Sequence, residues 1–140
     1  MSEFTQDEID YLRGQRLGRL ATVGADGQPH LVPVTYVYNE REDAIDVGGI
    51  AFGAGKKWRD VHDNPQVAFL VDESTGKSAR AVEIRGTVEA HEAGGDSINP
   101  RFPNFAPQFI RIRPTRIVSW GVEGEGESGR DFRPNARDVA

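Results

Sequence analysis

The chain has 140 residues, no cysteine, and 17 basic against 22 acidic side chains, for a net charge of -5. Disulfides, thiolate metal sites and thiol nucleophiles are excluded. The acidic balance argues against a general nucleic-acid surface but leaves room for a local basic pocket that takes a small anion.

Thr5-Gln6-Asp7-Glu8 has the spacing of a capping box and Phe4 with Ile9 supplies a hydrophobic staple, which predicts a helix to about Arg16. Its apolar residues Ile9 and Leu12 are few, so the helix reads as a lid or plug on another element. Alternation then predicts a strand Leu17–Val23, a turn at Gly24-Ala25-Asp26-Gly27 and a strand His30–Tyr38, together a hairpin. The run from Leu31 to Tyr38 is apolar on both faces, so one face can fill a barrel while the other needs a ligand or a partner. Pro33 cannot donate to a ladder; it marks either an approach point for a ligand ring or second subunit, or a plain edge-strand proline.

A charged turn at 39–43 leads to Ala44-Ile45-Asp46-Val47, then Gly48-Gly49. Gly53-Ala54-Gly55-Lys56-Lys57-Trp58-Arg59-Asp60-Val61 opens a short helix that Asn64-Pro65 closes. Two lysines in a first turn oppose the positive end of the helix, at about 0.3 to 1 kcal/mol each, and make sense where an anion sits. Glycines let the backbone approach a phosphate closely while Lys56 and Lys57 add charge to the amide donors. The alternative is a helix that starts earlier, with solvated lysines. Trp58 and Val61 would pin the other face to the core.

Val67–Val71 is a continuous apolar run and predicts a buried strand; Val82, Ile84, Gly86 and Val88 alternate as in a half-buried one. Residues 92–107 predict a long loop, and Phe109–Arg113 with Arg116–Trp120, split by Pro114, a last strand pair. A single domain over 1–121 and a mobile tail over 122–140 are expected. Six strands with two short helices predict a mainly β fold, a closed or nearly closed antiparallel barrel that pairs as a dimer. No run approaches the roughly 20 apolar residues of a membrane helix, and the acidic start is unlike a signal peptide, so a cytoplasmic protein that engages neither membrane nor nucleic acid is expected.

Catalytic constellations are absent from this pattern. His30, His62 and His91 fall on separate elements without metal-ligand spacing, no G-x-S-x-G elbow occurs, and Asp72 with Glu73 reads as solvated charge. No metal site and no catalytic side chain is predicted. An anion seat without acid, base or nucleophile suits a cofactor that performs the redox chemistry itself, as flavins and deazaflavins do.

Leu17-Gly18-Arg19-Leu20-Ala21-Thr22-Val23, Gly27-x-Pro29-His30, Val32-Pro33-Val34, Lys57-x-Arg59-Asp60-Val61-x-x-Asn64-Pro65 with Val67-Ala68-Phe69, Val82-Glu83-Ile84-Arg85-Gly86 and Arg116–Gly121 occur in an order that resembles the pyridoxamine 5'-phosphate oxidase-like split β-barrel flavoproteins. Ile45-Asp46-Val47-Gly48-Gly49 and Ser119-Trp120-Gly121 are similar to the deazaflavin-using branch, which includes a reductase group of tetracycline biosynthesis. The resemblance implies a six-stranded split barrel of the FMN-binding type and a homodimer with two interfacial sites. It implies coenzyme F420, with FMN as the alternative cofactor, and hydride transfer to an electron-poor acceptor; a non-catalytic deazaflavin carrier is a third reading. It places the cofactor phosphate at Gly55, Lys56, Lys57 and Arg59, the ring along Val32, Pro33 and Val34, Gly49 in the same site, and Trp120 at the ring edge from the other subunit. Trp120 as plain core is the competing reading. Arg41, Arg59, Lys77 and Arg80 are candidates for an exit that accommodates the F420 tail, and Tyr36 for a proton donor. Gly55, Lys56 and Asp60 depart from residues common in relatives, and Asp60 would repel the anion if it faced it. The chain also lacks the longer C-terminal portion that completes the vitamin site in true pyridoxamine phosphate oxidases, so oxidation of vitamin B6 is not expected.

Overall fold

A computed structural model describes residues 1–74, 76, 78–123 and 133–139. Helix α1 (Gln6–Gly14) starts on the expected capping box: the Thr5 side chain accepts from the Glu8 amide at 3.1 Å, and Glu8 accepts from the Thr5 amide at 2.8 Å. The helix stops two residues short of Arg16 because Gln15 is already extended. Seven strands follow: β1 (Leu17–Val23), β2 (Pro29–Asn39), β3 (Ala44–Gly48), β4 (Gln66–Ser74), β5 (Ala79–His91), β6 (Phe109–Trp120) and β7 (Asn135–Asp138). Helix α2 (Lys56–Asp63) stands between β3 and β4, entered through a 3-10 turn at Phe52–Ala54.

All pairings are antiparallel in the order β3-β2-β1-β4-β5-β6, and β3 then pairs with β6 to close six strands into a barrel. Alternation fixes the inside. Leu20, Val34, Tyr36, Ile45, Val47, Phe69, Ile84, Ile112 and Ile117 fill it, and Ile9, Tyr11 and Leu12 of α1 seal one end. Helix α1 is thus the plug that its sparse apolar stripe indicated. Asp46 is buried in β3 only because Arg111 donates to both of its oxygens, at 2.9 and 3.3 Å, and Asn39 adds a bond of 2.9 Å.

Two expectations need correction. The last strand pair is one strand: β6 runs through Pro114, and the register shifts by one residue opposite Arg85/Gly86. The proline lacks a ladder donor, and Thr115 takes the extra place while its hydroxyl donates to the Arg85 carbonyl at 3.1 Å. The tail is the second. Asn135–Asp138 pair with β6, and Arg137 reaches across to Glu8, so this part of the expected mobile tail is a strand with a buried anchor; residues 124–132 of that tail lie outside the described residues.

Gly86 sits at the bulge, where a Cβ would lie 2.2 Å from the Arg113 carbonyl oxygen. Backbone cannot move aside as a flexible side chain can. Gly86→Ala is therefore expected to cost about 2 kcal/mol, the scale of overpacking, read as a lower urea midpoint; an unchanged midpoint would show that the bulge relaxes freely.

Candidate functional site

Helix α2 begins without a side-chain cap: Gly55, its N-cap residue, offers no acceptor, and the first turn contains no acid. The leading amides of a helix have no intrahelical partner, so this end presents donors and positive potential together. The entry is rigid. The amides of Phe52, Ala54 and Gly55 donate to the carbonyls of Gly49, Ala51 and Phe52, and the Gly49 carbonyl also accepts from the Ala106 amide at 3.0 Å. A Cβ on Gly53 would overlap the Gln108 side chain at 2.5 Å.

The two lysines have different situations. Lys56 donates to Asp60 Oδ1 at 3.1 Å, so its charge is partly used within the helix. Lys57 lies 5.5 Å from the centroid of the Phe52 ring, a cation–π placement, with no carboxylate partner among the described residues. Arg59 donates to the Ala54 carbonyl at 3.2 Å and folds back over the entry turn. Asp60 turns inward, 2% exposed, and accepts from the Thr22 hydroxyl at 2.9 Å. Burial pushes its carboxyl up, but the bonds from Thr22 and Lys56 outweigh this and hold it below its ordinary value. The feared repulsion does not arise, because Asp60 faces β1 and neutralises Lys56.

Strand β2 presents its outer face differently from its inner one. Val34 is buried in the core and Val32 packs against it, while Pro33 and Leu31 are exposed. A ring lying along β2 would meet the Pro33 side chain and only the backbone of its two neighbours. Pro33 pairs opposite Arg19, and β3 covers β2 only from Thr35 onward, so Pro33 stands on an open edge.

Trp120 is half-buried and pairs with Ala81 at one end of β5. Helix α2 ends at the other, where the Pro65 carbonyl accepts from Val88. Ala81 and Val88 lie about 23 Å apart along the strand. One chain therefore brings together Gly49, Gly55, Lys56, Lys57 and Arg59 but holds Trp120 apart at the other end of the barrel. Among the expected exit residues, Arg80 is committed to the Gly121 carbonyl and Glu73, Arg59 to Ala54, Arg41 is exposed, and Lys77 lies outside the described residues. Tyr36 is sealed in the core with its hydroxyl donating to the Leu12 carbonyl, and burial pushes its pKa up, which removes it as a proton donor to a ligand. Sequence reasoning missed Phe52 as the platform beneath Lys57; an aromatic four residues before a lysine pair was the available signal. Among the described residues, no cluster of His, Asp and Glu could hold a metal ion, and no helix is long and apolar enough to cross a membrane.

A profile of the pyridoxamine 5'-phosphate oxidase family matches residues 5–121. The chain belongs to that family. A relative, the 5a,11a-dehydrotetracycline/5a,11a-dehydrooxytetracycline reductase of Streptomyces rimosus subsp. rimosus, is 45% identical over 139 residues, covering 97% of this chain and 93% of its own. That identity supports an oxidoreductase. A conserved hypothetical protein of Mycobacterium tuberculosis has the same fold, with a TM-score of 0.68 at 22% identity, covering 93% of this chain and 95% of its own. A FAD-binding protein of Mesorhizobium loti is similar with a TM-score of 0.58 at 27% identity, over 79% of this chain and 86% of its own. The split-barrel fold expected from the sequence is thus the fold of the family, and a flavin-type cofactor is consistent with its members.

Proposed function

We propose that this chain is an F420-dependent reductase that acts as a homodimer. The observation that carries the reading is the 45% identity to a dehydrotetracycline reductase along nearly the whole of both chains. The residues present fit the cofactor's phosphate: a glycine-capped helix start with no acid in its first turn, and Lys57 poised on Phe52. They fit a shared site as well. Lys57 and Trp120 lie at opposite ends of one barrel, so a site that uses both takes them from two copies of the chain.

When bound, reduced F420 supplies the hydride. The protein's part is to hold the phosphate at α2, lay the ring against the Pro33 face of β2, and keep water from the reacting carbon. With Tyr36 committed to α1, the proton that the acceptor takes up beside the hydride would come from solvent. By analogy with the relative, the acceptor is a polycyclic enone. FMN is the second reading, favoured by the likeness to a FAD-binding protein.

The test is titration of the purified chain with F420 and, separately, with FMN, followed by cofactor fluorescence, with sedimentation to weigh the complex. Micromolar or tighter F420 binding at twice the mass of one chain, with oxidation of the reduced cofactor by a polycyclic enone, is the expected result. Binding of FMN alone would overturn the cofactor assignment; F420 binding without turnover across such acceptors would point to a carrier.

A further inference from the structure

A cleft of about 710 Å3 opens between the end of α1, the outer face of β2 and the loop at 98–102, and it contains none of the residues assigned to the phosphate. That volume is within the range of small-molecule sites. Its charged lining consists of Arg13, Arg16 and Arg101 with no carboxylate, in a chain of net charge -5. Arg13 is shared with Glu40 at 3.4 Å. Arg16 and Arg101 have no side-chain partner among the described residues. Leu17, 50% exposed, lies in the wall with Val37 and Phe102, and Phe102 is held by stacking on Phe105 at 4.9 Å.

The exposed Leu17 and the flat ring of Phe102 give the lining apolar surface; the guanidinium groups of Arg16 and Arg101 add planar forks of donors. That combination selects a flat molecule with delocalised negative oxygens, a carboxylate or the enolate of a 1,3-dicarbonyl, which a guanidinium matches with two parallel bonds. The cleft also adjoins the proposed ring surface. Thr35 and Val37 line it on β2, two and four residues beyond Pro33 on the same face, and the loop that forms its far wall continues to Ala106, bonded to Gly49.

We propose that this cleft seats the organic acceptor, a planar polycyclic anion, separately from the cofactor phosphate at α2; the choice of an acceptor as occupant rests on the reductase reading. The charge and shape of the walls recognise the ligand, so binding does not require turnover.

Calorimetric titration with anthraquinone-2-carboxylate, and with its carboxamide as the uncharged control, tests this on the wild-type chain and on the Arg16→Ala/Arg101→Ala double variant. Both arginines are outside the core, so the variant is expected to fold. The expected result is carboxylate binding about tenfold or more weaker in the variant, weaker binding of the carboxamide to wild type, and unchanged F420 affinity. Equal carboxylate affinity in both proteins would overturn the proposal, as would no binding to wild type, the outcome if a second copy of the chain covers the cleft. Loss of F420 affinity in the variant would also overturn it and give the cleft to the cofactor's anionic tail. Carboxylate binding by a wild-type chain that does not bind F420 would support the anion cleft and overturn the cofactor assignment instead.

Discussion

Replacing Glu8 with alanine is expected to lower the thermal midpoint by about 10 °C, corresponding to about 3 kcal/mol. Glu8 is fully buried and accepts from four donors on separate parts of the chain: the Thr5 amide, the Ser119 hydroxyl, and two nitrogens of Arg137 at 2.6 and 3.0 Å. It therefore ties α1, β6 and β7 together. The variant leaves the Ser119 hydroxyl without its acceptor, while Arg137, 26% exposed, keeps its bonds to the Glu3 carbonyl and Asn135 and can turn partly to water, which keeps the cost near the low end for a buried pair. Burial pushes the Glu8 carboxyl up, but the bonds from Arg137, Ser119 and Thr5 outweigh it and hold it below its ordinary value of 4.5. A carboxyl depressed in the folded state contributes stability that is full above its unfolded pKa and is lost as pH falls through the folded one. The wild-type urea midpoint should therefore fall on acidification below about pH 4.5, and Glu8→Ala should show less of that fall. Equal thermal midpoints for the two proteins at neutral pH would mean that the network contributes no net stability.

Lys57→Ala is expected to weaken F420 binding about 10- to 100-fold while leaving the thermal midpoint near wild type. The loss is that of one hydrogen bond from a charged donor, about 1.5 to 3 kcal/mol. Lys56→Ala should cost less affinity, because the Lys56 ammonium is already bonded to Asp60. The ordering of the two variants is the sharper reading. A larger effect at Lys56 would mean that the helix pair opens on binding and that Asp60 holds the lysine in reserve; unchanged affinity in both would remove the phosphate seat. Cofactor fluorescence titration reports both.

Most of the barrel was legible. Each strand is a run with an apolar face, so the apolar pattern placed β1 to β3 within one residue at each end and β4 and β5 within three. The capping box placed α1 for the same reason: its signal is complete within four consecutive residues. The tail strand was not legible, because Asn135–Asp138 is polar and becomes a strand only when β6 offers an edge and Glu8 a partner for Arg137. Pro114 misled in the other direction, since a proline argues for a break until the opposing strand supplies Gly86 and a bulge.

The amino-acid pattern by itself determined a glycine-led helix start carrying two lysines and a small antiparallel barrel, because each depends on residues close together along the chain. The tertiary structure decided what each charge at the site does. It turned Asp60 inward onto Thr22 and thereby occupied Lys56, left Lys57 on the Phe52 ring, and separated Trp120 from the helix by the length of a strand. It also placed Arg16 and Arg101 in the lining of one cleft. Residues 85 positions apart carry no local trace of such a meeting; only closure of the barrel and packing of the long loop against β3 bring them into one cleft.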